Sequence, residues 1–330
     1  YFCPSSCNSE DEGVMLQSLL RFLCQIKHLK IAFDQSKETN RRNVMHVLDV
    51  LAKQSHSLRQ LCVVCHGENP YFYSGQDILQ SVQKLCATPS QGGLQHVDFR
   101  QMPFTLDAEL VELLAATNPG LQSLFINNHT LVCNVLPDTV RKVLRACPRL
   151  SALGVYYASL SEDVFEELLE PHRAAFRHLE VFCERLGKYT PTISEELWAA
   201  VCQKHPQLSV DLEFDHTIPA CKIPQILKPN IPVSTLQLNT HNYMVSQIGF
   251  VTSSYSRTLK KLTLQTTSSD DLNSSLVDLA KRCRNLLEIH CYCVVSQEVV
   301  EAFLRHCPAL KRYTLKVTKE RHPWKPVAVV

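Results

Sequence analysis

The sequence predicts an α/β leucine-rich-repeat solenoid of about 11 repeats, an arc with a parallel sheet on its inner side and helices outside. Three observations predict it. An apolar pattern, L-x-x-L-x-L, recurs along the whole chain; amphipathic helical runs lie between its copies; and successive copies start 24 to 36 residues apart. The shorter spacings match a leucine-rich repeat and the longer ones a repeat with an inserted loop. One strand and one helix cannot bury their apolar faces alone, so such units have to stack.

The strand anchors follow in order as Ile26/Leu29/Ile31, Leu58/Leu61/Val63, Leu94/Val97/Phe99, Leu121/Leu124/Ile126, Leu150/Leu153/Val155 and Phe176/Leu179/Val181. After a degraded copy at Leu208, where LSVDLEF alternates instead, come Val233/Leu236/Leu238, Leu259/Leu262/Leu264, Leu286/Ile289/Cys291 and Leu310/Tyr313/Leu315. Between them, apolar residues at spacings of three and four mark one helix face each: Val44, Val47, Leu48 and Leu51; Val140, Val143, Leu144 and Cys147; Val300, Phe303, Leu304 and Cys307. Asp138, Ser161, Ser194 and Ser296 precede such runs and are read as helix caps. Helices close at RACPRL (Cys147, Pro148), RHCPAL (Cys307, Pro308), KRCRNL (Cys283) and TNPGL (Pro119). There Cys is read as a small buried hydrophobe, and Pro stops the helix. Residues 1–25 are expected to make an N-terminal helix or cap, 26–318 the solenoid and 319–330 a tail.

Composition narrows the function. The 330 residues are 45% hydrophobic, enough for a sizeable core, and the net charge of +2 supplies no global basic field for nucleic acid. No apolar run reaches the ~18 residues of a membrane span, and the start, YFCPSSCNSEDEG, lacks the basic and apolar regions of a signal peptide. A soluble protein of the cytoplasm, extending to the nucleus, with neither nucleic-acid nor membrane partner, is expected. Fifteen scattered cysteines, an odd number, read as mostly reduced thiols. An opening Tyr1 suggests a piece of a longer chain.

No catalytic constellation is expected: G-x-S-x-G, H-E-x-x-H and a glycine-rich phosphate loop are all missing from the sequence. Cys62 and Cys65 beside His66 have the spacing of half a zinc site, but no second half exists, so they read as residues of a repeat strand and the turn after it, and no metal or cofactor is predicted. In IHCYC, alternation puts Cys291 and Cys293 toward the core and His290 with Tyr292 toward the concave face. Asn128-His129-Thr130 and Asn273-Ser274-Ser275 match glycosylation acceptors that stay idle without secretion.

The variable strand positions should build a continuous inner surface, the default binding site for a protein partner. They include Arg59, Gln60, Gln95, His96, Gln122 and Ser123 in the first half and Glu288 near the end. The residues expected to contact the partner are Arg177, His178, Lys260, Lys261, His290, Lys311, Arg312 and, from the tail, Trp324. With Lys316, Lys319, Arg321 and Lys325 the C-terminal end is basic, which favours an acidic or phosphorylated partner. The aromatics of NPYFYSG, 69–75, are a second possible contact.

The stretches ACPRLSALGVYYASLS (146–161), SLFINNHTLV (123–132) and IHCYCVVSQEVVEAFLRHCPALKRYTLKVTKERHPWKP (289–326) resemble F-box proteins with leucine-rich repeats, and the resemblance runs through nearly the whole chain. It implies a non-catalytic substrate-recognition subunit of a Skp1-cullin-F-box (SCF) E3 ubiquitin ligase, which docks on Skp1 through an N-terminal F-box. No F-box is found in these residues, so this chain alone is expected to hold a substrate without joining Skp1 and cullin. A ligase-independent scaffold or inhibitor is the alternative. A thiol- or zinc-dependent enzyme is the third.

Overall fold

The computed structural model describes residues 22, 25–54, 57–70, 73–88, 93–130, 132–187, 189–317 and 328–329. The chain divides into two compact units, Tyr1–Phe176 and Arg177–Val330.

In the first unit strand and helix alternate: β1 (His28–Asp34), α1 (Glu38–Gln54), β2 (Gln60–His66), α2 (Gln76–Ala87), β3 (His96–Gln101), α3 (Ala108–Thr117), β4 (Ser123–Phe125), α4 (Pro137–Ala146), β5 (Ala152–Tyr156) and α5 (Glu162–Leu168). Consecutive strands pair in parallel, with His28, Gln60, His96, Ser123 and Ala152 in register.

The second unit continues the alternation with β6 (His178–Cys183), α6 (Glu195–Lys204), β7 (Ser209–Phe214), α7 (Ile223–Ile226), β8 (Val233–Leu238), α8 (Val245–Ser254), β9 (Lys261–Leu264), α9 (Asp270–Arg282), β10 (Glu288–Val294), α10 (Gln297–His306) and β11 (Arg312–Val317). Its strands pair in parallel from β6 to β11. A final β12 (Ala328–Val329) joins β11 in antiparallel fashion. The strand-helix repeat is that of an α/β leucine-rich-repeat solenoid, the fold class the sequence predicts. None of the helices among the described residues is long and apolar enough to cross a membrane.

The anchors form the core. All are buried except Ile26, Leu310 and Tyr313, which belong to the first and last repeats. Burying one such side chain is worth about 2 kcal/mol, so stacking is driven chiefly by this apolar column. The degraded copy at Leu208 also makes a strand, because Val210, Leu212 and Phe214 alternate inward.

The repeats interlock through the backbone as well. The carbonyl one residue ahead of a strand accepts two N–H groups of the next repeat. Arg59 O receives Gln95 and His96 at 2.7 and 3.0 Å, and Lys260 O receives Leu287 and Glu288 at 2.7 and 3.0 Å. Helices end in a recurring cap. Asn118, Cys147, His205, Cys283 and Cys307 occupy it with φ between −129° and −88° and ψ between 64° and 77°. All five are buried.

Three local expectations change. Leu304 is exposed, and Val299 takes the inward position instead. Asp138 is not the cap of α4: Pro137 opens that helix and Leu136 precedes it, because the ring's fixed φ already suits the first helical position. Ser161 caps α5 through the Val164 N–H, whereas Ser194 and Ser296 hold the cap position without a side-chain bond. Asp107 and Ser269 are caps the sequence reading overlooked, accepting from Leu110 N–H at 2.8 Å and Leu272 N–H at 3.1 Å.

Candidate protein-binding face

Alternation along each strand sends the anchors into the core and the residues between them to the opposite face. Parallel pairing then lines these up across strands. In the second unit one row runs Glu180, Asp211, Thr235, Lys261, Glu288, Arg312, and the next runs Phe182, Glu213, Gln237, Thr263, His290, Thr314.

The rows have their own electrostatics. On β6 and β7 three carboxylates, Glu180, Asp211 and Glu213, stand together. His178 Nε2 lies 3.8 Å from Asp211 and 4.0 Å from Glu180, and Ser234 donates to Asp211 at 3.0 Å. Further along, Glu288 stands between two cations, 3.8 Å from Lys261 and ion-paired with Arg312. The Arg312 guanidinium holds the Glu288 carboxyl below its ordinary range. His290 faces Thr314 Oγ1 at 3.0 Å.

Of the residues expected to contact a partner, His178, Lys261, His290 and Arg312 lie on this strand face. Arg177, Lys260 and Lys311 lie one residue ahead of their strands, at the rim, where their backbones carry the interlocking bonds. Trp324, Lys319, Arg321 and Lys325 fall outside the described residues. Glu180, Asp211 and Glu213 escaped the sequence reading, although their even spacing in HLEVFC and SVDLEF marks them as outward positions.

In the first unit the corresponding row is Lys30, Cys62, Asp98, Phe125, Gly154. Arg100 forks onto Asp98 at 2.7 and 3.0 Å and lies 4.4 Å over the Phe125 ring. Gly154 makes room for that ring, since a Cβ there would sit 2.6 Å from Phe125 Cδ1. A cavity of about 470 Å³ opens at the ends of β1 to β3 among Gln35, His66, Arg100 and His129.

The thiols of Cys62 and Cys65 point to opposite sides of β2, and burial pushes both up, Cys65 to about 12. Among the described residues no three His, Cys, Asp or Glu side chains gather as metal ligands. Tyr73 of the aromatic loop packs edge-on against Phe104 at 5.5 Å, with Arg41 4.4 Å over its ring, while Tyr71 and Phe72 lie outside the described residues. Asn128, an expected glycosylation match, is fully buried and donates to Met102 O and Phe104 O at 2.8 and 2.7 Å.

No protein-family model matches the chain. Human F-box/LRR-repeat protein 8 is 41% identical over 326 residues, 98% of this chain and 86% of the relative. The chain belongs to the F-box/LRR-repeat family. The bovine and mouse proteins of the same name are each 40% identical over 98% of the chain. Among solved structures, the crystal structure of the Rad7 and Elc1 complex in yeast shares the fold, with a TM-score of 0.53 at 12% identity, over 96% of this chain and 87% of that one. Family and fold together support a protein-binding role for this F-box/LRR-repeat chain.

Proposed function

We propose that the chain is the substrate-recognition region of an SCF E3 ubiquitin ligase adaptor. The observation that carries this reading is the near full-length match to F-box/LRR-repeat protein 8. In this role the chain performs no chemistry. It raises the concentration of a bound protein near the ubiquitin-transferring subunits, which is a proximity effect. The substrate docks on the strand face, with His178, Lys261, His290 and Arg312 among its contacts and Arg177, Lys260, Lys311 and Trp324 at the margin. Skp1 and cullin are engaged through an F-box rather than through the repeats, in cytoplasm or nucleus.

The test is affinity capture from cells with the proteasome blocked, using the complete reading frame with and without paired Lys261→Glu and Arg312→Glu substitutions. The expected result is a partner that accumulates on proteasome block, is lost with the charge reversal, and comes with Skp1 and cullin in both captures. A partner unaffected by the reversal removes this part of the strand face as the docking surface. Captures without Skp1 and cullin remove the ligase reading and leave a scaffold.

A further inference from the structure

The pairing of β10 with β11 is interrupted. Cys291 stands opposite Leu315 and Val294 opposite Lys316, which leaves Tyr292 and Cys293 as extra residues of β10. A bulge of this kind bends the strand. In a regular strand alternate residues stand about 6–7 Å apart along the axis. Here the Sγ atoms of Cys291 and Cys293 are 3.3 Å apart. A disulfide requires about 2.05 Å, so closure needs little more than side-chain rotation over a backbone already bent.

The two sulfurs differ in access. Cys291 is fully buried, Cys293 is half-buried, and Tyr292 between them is 47% exposed on the strand face. Their mutual hydrogen bond, with burial, holds the Cys291 thiol protonated, while the same bond favours the Cys293 thiolate. Reactivity in thiol exchange follows thiolate character and access.

We infer that Cys291 and Cys293 are a redox-active dithiol that closes to an intrastrand disulfide by exchange with a small-molecule disulfide, Cys293 attacking and Cys291 resolving. Cys293 attacks one sulfur of the small disulfide RSSR, forming the mixed disulfide and releasing one thiolate, which takes up a proton as RSH. Cys291 gives its proton to solvent and attacks Cys293 Sγ, breaking its bond to the RS sulfur and releasing RS⁻, which takes up a proton as the second RSH. Two protein thiols lose two electrons, and RSSR gains them. Closure fixes the bulge that carries Tyr292.

The probe is oxidised glutathione, added to the folded full chain. Remaining thiols are then blocked with N-ethylmaleimide and the protein is digested for mass spectrometry. Cys221, exposed and with no other cysteine near it in sequence, is the internal comparison. Expected is a peptide spanning 291–293 that has lost two hydrogens and carries neither glutathione nor N-ethylmaleimide, while Cys221 retains glutathione. Cys291→Ser should leave Cys293 as a stable glutathione adduct. Since substitution in the core can unfold the strand, Cys293→Ser is the second variant, in which buried Cys291 should take up neither reagent. A lasting glutathione adduct on Cys293 of the unaltered protein, or N-ethylmaleimide on both cysteines while Cys221 is glutathionylated, overturns the inference.

Discussion

Replacing Asn118 by alanine tests what locks one repeat to the next. The side chain is 2% exposed and spans two repeats. Its Oδ1 accepts from the Leu94 N–H at 2.6 Å, and its Nδ2 donates to Leu114 O at 2.9 Å and Cys86 O at 3.4 Å. Alanine leaves the Leu94 N–H buried without an acceptor and strips a donor from two carbonyls. An unsatisfied buried group costs about 1–3 kcal/mol, so one lost donor–acceptor pair and the weakened carbonyls come to about 3 kcal/mol. Cys147 has the same cap geometry one repeat later, but its thiol is a weak donor, 3.6 Å from Ala115 O and 3.5 Å from Asn118 O. Cys147→Ala therefore loses little beyond one small apolar group, about 1 kcal/mol. Both positions lie in the unit Tyr1–Phe176, so urea denaturation followed by circular dichroism reads the same transition. Asn118→Ala should cost about 2 kcal/mol more than Cys147→Ala, and hydrogen exchange at the Leu94 amide should accelerate. Equal destabilisation by the two variants, or unchanged protection at Leu94, would refute the reasoning.

Urea and thermal denaturation check four more expectations. Asp107→Ala and Ser269→Ala remove real caps and should each cost about 1 kcal/mol, whereas Ser194→Ala and Ser296→Ala, with no cap bond to lose, should stay within about 0.5 kcal/mol. Glu288 has a folded pKa depressed by Arg312, so its stabilisation is present above the ordinary value of 4.5 and is lost as pH falls through the folded value. The Tm gap between the unaltered protein and Glu288→Gln should therefore be full at neutral pH and close on acidification; a gap that widens in acid would reverse the assignment. Gly75→Ala should destabilise by more than about 1 kcal/mol, because φ is +69° and its Cβ would lie 2.2 Å from Phe104 Cδ1. Gly249→Ala in α8, with nothing within 4 Å, should stabilise by about 0.5–1 kcal/mol, and a loss of Tm there would contradict the open space.

Strand positions were legible because a period of two or an L-x-x-L-x-L signature survives even in LSVDLEF. Helix phase was less legible. Val299 and Leu304 flank the Val300/Phe303/Cys307 stripe on opposite sides, so a modest rotation about the α10 axis exchanges one for the other on the inner face even though Ser296 marks the start of the helix as read. The candidate face was legible as positions but not as neighbours. Lys261, Glu288 and Arg312 are side by side in space yet 24 to 27 residues apart in sequence, separated by helices and loops of unequal length. Counting the lysines and arginines near the end of the chain gives a basic patch. Register instead puts a carboxylate between two of them and three carboxylates over β6 and β7.

The cysteines illustrate why residue type alone was a poor guide to role. Read from sequence, the C-P junctions call for a small apolar residue, yet Cys147 and Cys307 donate to the last carbonyls of the preceding repeat, Cys147 to Ala115 and Asn118, Cys307 to Ala280 and Cys283. The final carbonyls of a helix have no partner within it. Asn118 does the same work with a stronger donor, reaching Cys86 O across the repeat boundary. At three of these helix ends the buried side chain donates across the repeat boundary, through a thiol at Cys147 and Cys307 and an amide at Asn118. Thiols used this way are held protonated by burial, as Cys147 and Cys307 are, pushed up to about 11. Cys293 stands outside that position, on a bulge instead of a helix end, and the hydrogen bond it shares with Cys291 outweighs the upward push of burial on its thiol. Chemical reactivity among the chain's thiols should follow that distinction, and not their number.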